Sequence, residues 1–172
     1  MKKIIALLVP LFILFSLPFM VYANASADAP VLAVMLAKEA SIQATDKANT
    51  YQLKLKGVNP KVMYFSNSPA RKSGQVAVTK FIKQWDDKDG SFAKVPPNAV
   101  MEAVKIDSHT NKFDSSENSY AIILSNPVFS QKKGEMTFDV QPLPGINSKL
   151  TPMKSGDYVA IFIDGVCLSC IG

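Results

Sequence analysis

Short apolar segments cut at regular intervals by Gly, Pro, Asn or Asp limit the fold of this chain more than any other feature. In "TYQLKLKGV", Tyr51, Leu53, Leu55 and Val58 alternate with Gln52, Lys54 and Lys56, giving a strand with one wet face and one buried face. "DKAN" supplies the turn before it, so "ASIQATDKANTYQLKLKGV" reads as a hairpin. "KVMYFS", opened by Asn59-Pro60, reads as the next strand, and "NAVMEAVKI" as another after Pro96-Pro97. "YAIILSNPVF", "EMTFDVQPL" and "YVAIFIDG" add three strands of high β-propensity, with Lys132-Lys133-Gly134 marking a hairpin between the first two. Between these lie a long polar loop, "SHTNKFDSSENS", and an irregular connection, "PGINSKLTPMKSGD". Only "VAVTKFIKQW" carries helical spacing, through Val78, Phe81, Ile82 and Trp85, with Thr79 as its cap. Six to eight strands without helical crossovers predict a mainly β protein. The expected architecture is an antiparallel β-sandwich, immunoglobulin-like or similar, with one short helix packed across it.

The N-terminus sets the compartment. Lys2 and Lys3 precede the apolar run "IIALLVPLFILFSLPFMVY", and small residues follow at Val21-x-Ala23, Ala23-x-Ala25 and Ala25-x-Ala27. That is the layout of a secretory signal peptide over residues 1–27, with cleavage after Ala23, Ala25 or Ala27. An uncleaved anchor is the rival reading, because the run nearly reaches a membrane span. Pro10, Pro18 and the overlapping small-residue sites favour cleavage. Residues 28–172 then form a single β-rich domain, periplasmic or secreted, without a membrane span. The leader holds two lysines and no acid, so the mature chain has 17 basic and 14 acidic residues, a net +3. Its basic residues are scattered, the longest runs being Arg71-Lys72 and Lys132-Lys133. A concentrated basic face is missing, so nucleic acid is not an expected partner.

Several chemistries can be weighed from the residues. In an exported protein, Cys167-x-x-Cys170 reads first as a local disulfide. A redox pair would need a helix N-terminus behind the thiolate, and two thiols are half a zinc site. His109 is the only histidine, sits in a polar loop, and has no Gly-x-Ser-x-Gly elbow to serve. The mature methionines (35, 63, 101, 136, 153) are dispersed and read as core rather than as copper ligands. "WDDKDG" has Asp87, Asp89 and Gly90 at calcium-loop spacing, but Trp85 occupies the first ligand position and the distal acid is missing. The isolated glycines form no phosphate loop. No metal and no cofactor is expected.

The loop "YFSNSPARKSG" is the best candidate for recognition. Pro69 presets a turn, Gly74 permits positive φ, and Ser66, Asn67 and Ser68 can bond the local backbone. Arg71 offers a fork of donors, either to a ligand or to Asp86 or Asp89 as a structural tie. Tyr64, Phe65, Ser66, Pro69, Arg71 and Gly74 are followed by Phe81 and Trp85, by Ser91, Phe92, Pro96, Pro97, Asn98 and Ala99, and by "LSNP" from Leu124. This ordered set resembles a family of small exported bacterial proteins of unassigned function. The resemblance spans about residues 50 to 143, leaves out the cysteines, and implies export and a compact domain without assigning an activity. The expected function is that of an exported, non-enzymatic binding or envelope-associated protein. Its unknown ligand or envelope partner would meet Arg71, Lys72, Phe92 and Asn98. The alternatives are a secreted or periplasmic hydrolase, or a thiol or metal protein using Cys167 and Cys170.

Overall fold

The computed structural model describes residues 31–68, 71–86, 91–107, 109–110, 112–113, 119–146 and 149–167. The leader with its three cleavage sites, Pro69, Asp87, Asp89, Gly90 and Cys170 lie outside these residues, as does much of the 107–119 loop.

The strands are β1 (Val31–Ala44), β2 (Tyr51–Lys56), β3 (Lys61–Ser66), β4 (Ser73–Ala77), β5 (Asn98–Val104), β6 (Ile106–Asp107), β7 (Lys112–Phe113), β8 (Ser119–Ser130), β9 (Glu135–Pro142) and β10 (Met153–Val166). Eight form one antiparallel sheet in the order β10-β5-β8-β9-β2-β1-β3-β4, and β10 also pairs with β1. The mainly β, antiparallel fold expected from the sequence is therefore present. All eight lie in one sheet, in which the β1–β10 ladder closes a ring of six strands. β3 and β4 form a hairpin fastened to the start of β1, and β6 and β7 make a separate short hairpin.

Closure requires neighbouring strands to be staggered. β1 gives Val31 through Ile42 to β10 on one edge; on the other it gives Val31–Val34 to β3 and Glu39–Ala44 to β2. β8 is shared in the same way, with Ser119–Ile123 on β5 and Ile122–Ser130 on β9. β10 inserts Tyr158 as an extra residue against β5, and carries a second irregularity between Ile163 and Val166 against β1. Such bulges bend a strand and sharpen its twist, which helps the sheet to close.

The alternation read in "TYQLKLK" holds, with Tyr51, Leu53 and Leu55 buried. With Ile122, Leu124, Met136, Phe138, Ile161 and Ile163 they form one core. Met35, Met101 and Met136 are buried and Met153 nearly so, but Met63 points outward at 39% exposure, a departure from the all-core expectation. β1 begins earlier than alternation suggests, because "VLAVMLA" is apolar at consecutive positions and gives no two-residue period.

One open region of the ring is plugged by the helical segment. α1 (Val78–Phe81) runs directly into a 3-10 turn over Ile82–Trp85, and α2 (Ser91–Lys94) follows. Thr79 is not the cap: the helix starts at Val78, straight from β4, and the Val78 N–H donates to Pro60 O (3.0 Å). That bond satisfies one of the donors a helix start leaves open. Phe81 is fully buried, and Trp85 packs against Phe81, Phe92 and Phe138 at centroid distances of 5.8, 4.6 and 5.9 Å. The Trp85 Nε1–H donates to Leu124 O (3.2 Å), so the plug is pinned to β8.

Candidate functional site

Two of the four expected site residues come together. Phe92 and Asn98 line a cleft of about 280 Å³ with Ser91, Val95, Pro96, Pro97, Asp164 and Gly165. Local sequence builds it simply. α2 lasts one turn because Pro96 and Pro97 cannot continue a helix, and the two prolines then feed Asn98 into β5. Gly165 (φ 73°) belongs to the β10 irregularity that bends this strand end beside the cleft.

The walls are apolar and the rim is polar. Phe92 and Pro97 are buried, Val95 is exposed at 73%, and the Ser91 hydroxyl, Asn98 amide and Asp164 carboxylate border the space. One Asp164 oxygen accepts from the Gly165 N–H (2.8 Å). The other has no protein donor among the described residues and is open to an incoming donor. Phe92 is held by Trp85 rather than presented to solvent, so it serves as a wall and not as an exposed anchor.

Behind Ser91 stands Gln84, 1% exposed, which sequence periodicity missed. A purely α-helical count from Val78 puts Phe81, Ile82 and Trp85 inward. The tightening to 3-10 winding spaces the inner face by three, which brings Gln84 in and leaves Ile82 half-buried. Gln84 Oε1 accepts from Ser91 Oγ (3.4 Å) and from the Cys167 N–H (3.3 Å), while its Nε2 has no partner among the described residues. The pair of bonds ties the plug to α2 and to the end of β10.

Arg71 and Lys72 are elsewhere. Both are exposed on the β3–β4 loop, at the same end of the sheet as the cleft, and β1 and β10 separate that loop from Asn98 on β5. Three strand spacings make that separation about 14 Å. The Arg71 backbone is left-handed (φ 44°) and its N–H donates to Asn67 O (3.1 Å). The Lys72 N–H donates to Ser66 Oγ (2.8 Å), and the Ser66 N–H returns a bond to Lys72 O (2.8 Å). Of the three expected side chains, Ser66 bonds the loop backbone, while Asn67 contributes its main-chain carbonyl. Gly74 does not supply the positive φ; that falls on Arg71. A Cβ at Gly74 would stand 2.5 Å from the Tyr64 hydroxyl oxygen, so glycine is there to let Tyr64 lie across it. The Arg71–Asp86 tie does not form, and the ion pairs among the described residues are Lys54–Glu135 and Lys56–Glu39.

His109 lies in the β6–β7 turn beyond the far end of β5, so it stands at the opposite end of the sheet from Ser91 and Asp164. Among the described residues the cleft holds one carboxylate and one serine, and that serine donates to an amide oxygen. Among the described residues there is no free cysteine and no group of His, Cys, Asp and Glu fit to hold a metal ion. None of their helices is long and apolar enough to cross a membrane. No family model, no curated protein and no solved structure matched the chain.

Proposed function

We propose that this is an exported, non-enzymatic binding protein of the cell envelope or its surroundings, which uses the cleft between α2, the Pro96-Pro97 turn and the end of β10. The cleft carries this reading: its apolar walls would take a small aromatic or aliphatic group, and Asn98 with the open oxygen of Asp164 would orient a cationic or amide donor attached to it. A hydrolytic role is less well supported, because the described residues of the cleft offer neither a general base for Ser91 nor a second carboxylate for Asp164. Export rests on the Lys2-Lys3 start, the apolar run and the small residues at 21 to 27. The kinship implied by the Pro69-x-Arg71-x-x-Gly74 and Pro96-Pro97-Asn98-Ala99 blocks belongs to the same proposal. So does a Cys167–Cys170 disulfide that closes the chain's end beside Gln84.

The test is a ¹⁵N NMR titration of the mature protein with small aromatic amines. Saturating shifts confined to Ser91, Asn98, Asp164 and Gly165, lost in Asp164→Asn, are the expected result. Shifts scattered over the surface, or none at millimolar ligand, would reject the cleft. Intact mass on protein from its native compartment checks the rest: cleavage after Ala23, Ala25 or Ala27, and a mass two hydrogens light.

A further inference from the structure

The start of β1 and the end of β10 are apolar on both faces, unlike β2, which is apolar on one. Inward residues such as Ala33, Met35, Ile161 and Ile163 fill the core, so Leu32, Val34, Leu36, Ala160 and Phe162 are left on the outside. The register lines them up. Met63 faces Val34, Val34 faces Phe162, and Phe162 faces Val100, a continuous apolar row across β3, β1, β10 and β5. Met63 is 39%, Phe65 43% and Val100 43% exposed. An apolar strip of this kind on the outer face of an antiparallel sheet marks a surface that something covers.

We propose that a second copy of this chain covers it, packed face to face about a two-fold axis that runs along the strands between β1 and β10. The charges at the strip's two edges select this occupant. One row below the apolar one, Leu36 faces Ala160 and Ala160 faces Glu102; on β3, Lys61 lies two residues from Met63, past the end of the β1–β3 ladder, where Leu36 O accepts from the Asn59 N–H (2.8 Å). This second row has a basic residue toward β3 and an acidic one on β5, while the apolar row ends in Met63 and Val100. The two-fold exchanges those ends. It brings Lys61 of one copy to Glu102 of the other, twice, with Met63 over Val100 and Val34 over Phe162. Neither Lys61 nor Glu102 has an ion-pair partner among the described residues. Measured across the strands, both stand about 7 Å from the axis. An anionic lipid surface would call for basic residues at both edges.

The same operation has a consequence for the cleft, and here the inference rests on the proposed binding role. It carries the Arg71 and Lys72 loop of one copy toward the Asn98 side of the other. The two parts of the expected site, about 14 Å apart within a chain, then meet between chains.

The test is sedimentation velocity on the mature protein from about 1 to 300 µM, a range suited to an interface at the small end of specific ones. A concentration-dependent dimer is expected. Lys61→Glu and Glu102→Lys should each weaken it about tenfold, and the double variant should recover wild-type association to within about threefold, since each swap sets like charges together and the pair restores attraction. Both positions are exposed, so these variants keep the fold. A monomer throughout the range, a dimer indifferent to the swaps, or a double variant as weak as the singles would overturn the proposal. A monomer that floats with phosphatidylglycerol vesicles would overturn it in favour of lipid. Loss of the dimer with ligand shifts intact at Asn98 and Gly165 would separate this failure from failure of the cleft reading.

Discussion

Gly74 and Tyr64 explain each other. The pair faces across the β3–β4 ladder, and the ring lies where a side chain at 74 would be. Gly74→Val should displace the ring and cost about 1–3 kcal/mol in denaturant unfolding, as over-packing does elsewhere; an unchanged midpoint would mean the ring moves freely. Tyr158 is the reverse case, an aromatic residue held at φ 49° on a bulge and 69% exposed. Its left-handed backbone costs an ordinary residue about 1–2 kcal/mol. Tyr158→Gly should therefore stabilise the protein by about 0.5–1 kcal/mol once glycine's entropy is counted. A loss of stability would show that the ring makes contacts which outweigh the strain. Sequence pointed to Gly74 as special but gave the wrong reason, and it gave no sign of Tyr158. Positive φ is imposed by ladder register, and register is a property of two strands.

At the level of elements, the helical plug was legible in outline. Val78, Phe81 and Trp85 fall on the inner side as their spacing requires, and Phe81 is fully buried. Phe81→Ala should cost about 3–5 kcal/mol, the usual loss for a buried aromatic ring, measured by thermal or chemical unfolding. A cost below about 1 kcal/mol would mean that the plug is not part of the cooperative unit. Gln84 was not legible, because its burial follows from the change from α to 3-10 winding, and that change comes from docking against β8 and β10. The short α2 escaped periodicity for a related reason: four residues ending at prolines hold too few turns for a pattern to register.

For the molecule as a whole, the closed ring leaves Tyr120 on β8 nearly buried, and desolvation raises its phenol above the ordinary value of 10.0. The folded state therefore holds this proton more tightly than the unfolded chain. Its contribution to stability is complete below pH 10.0 and is lost as pH rises through the raised folded value. Unfolding free energy should fall as pH rises above 10.0, and the fall should be shallower in Tyr120→Phe. Equal slopes in the two proteins would assign the alkaline loss to other groups. Closure also positions the candidate site. Phe92 and Asn98 meet in one cleft because α2 and β5 are adjacent in sequence, while Asp164 joins them only because β10 pairs with β5.

The sequence alone determined the β-rich class, the antiparallel hairpins, the buried face of β2, and the short helical segment. Alternation, turn residues and helical spacing are local signals, and each element carries its own. Tertiary structure decided that β10 returns to β1, that β1 and β10 separate the Arg71 loop from Asn98, and that an apolar row lies outside as well as inside. These depend on which distant strands pair and in what register. A strand that is apolar at every position fits either register equally well by its own pattern, so only its partners can fix one.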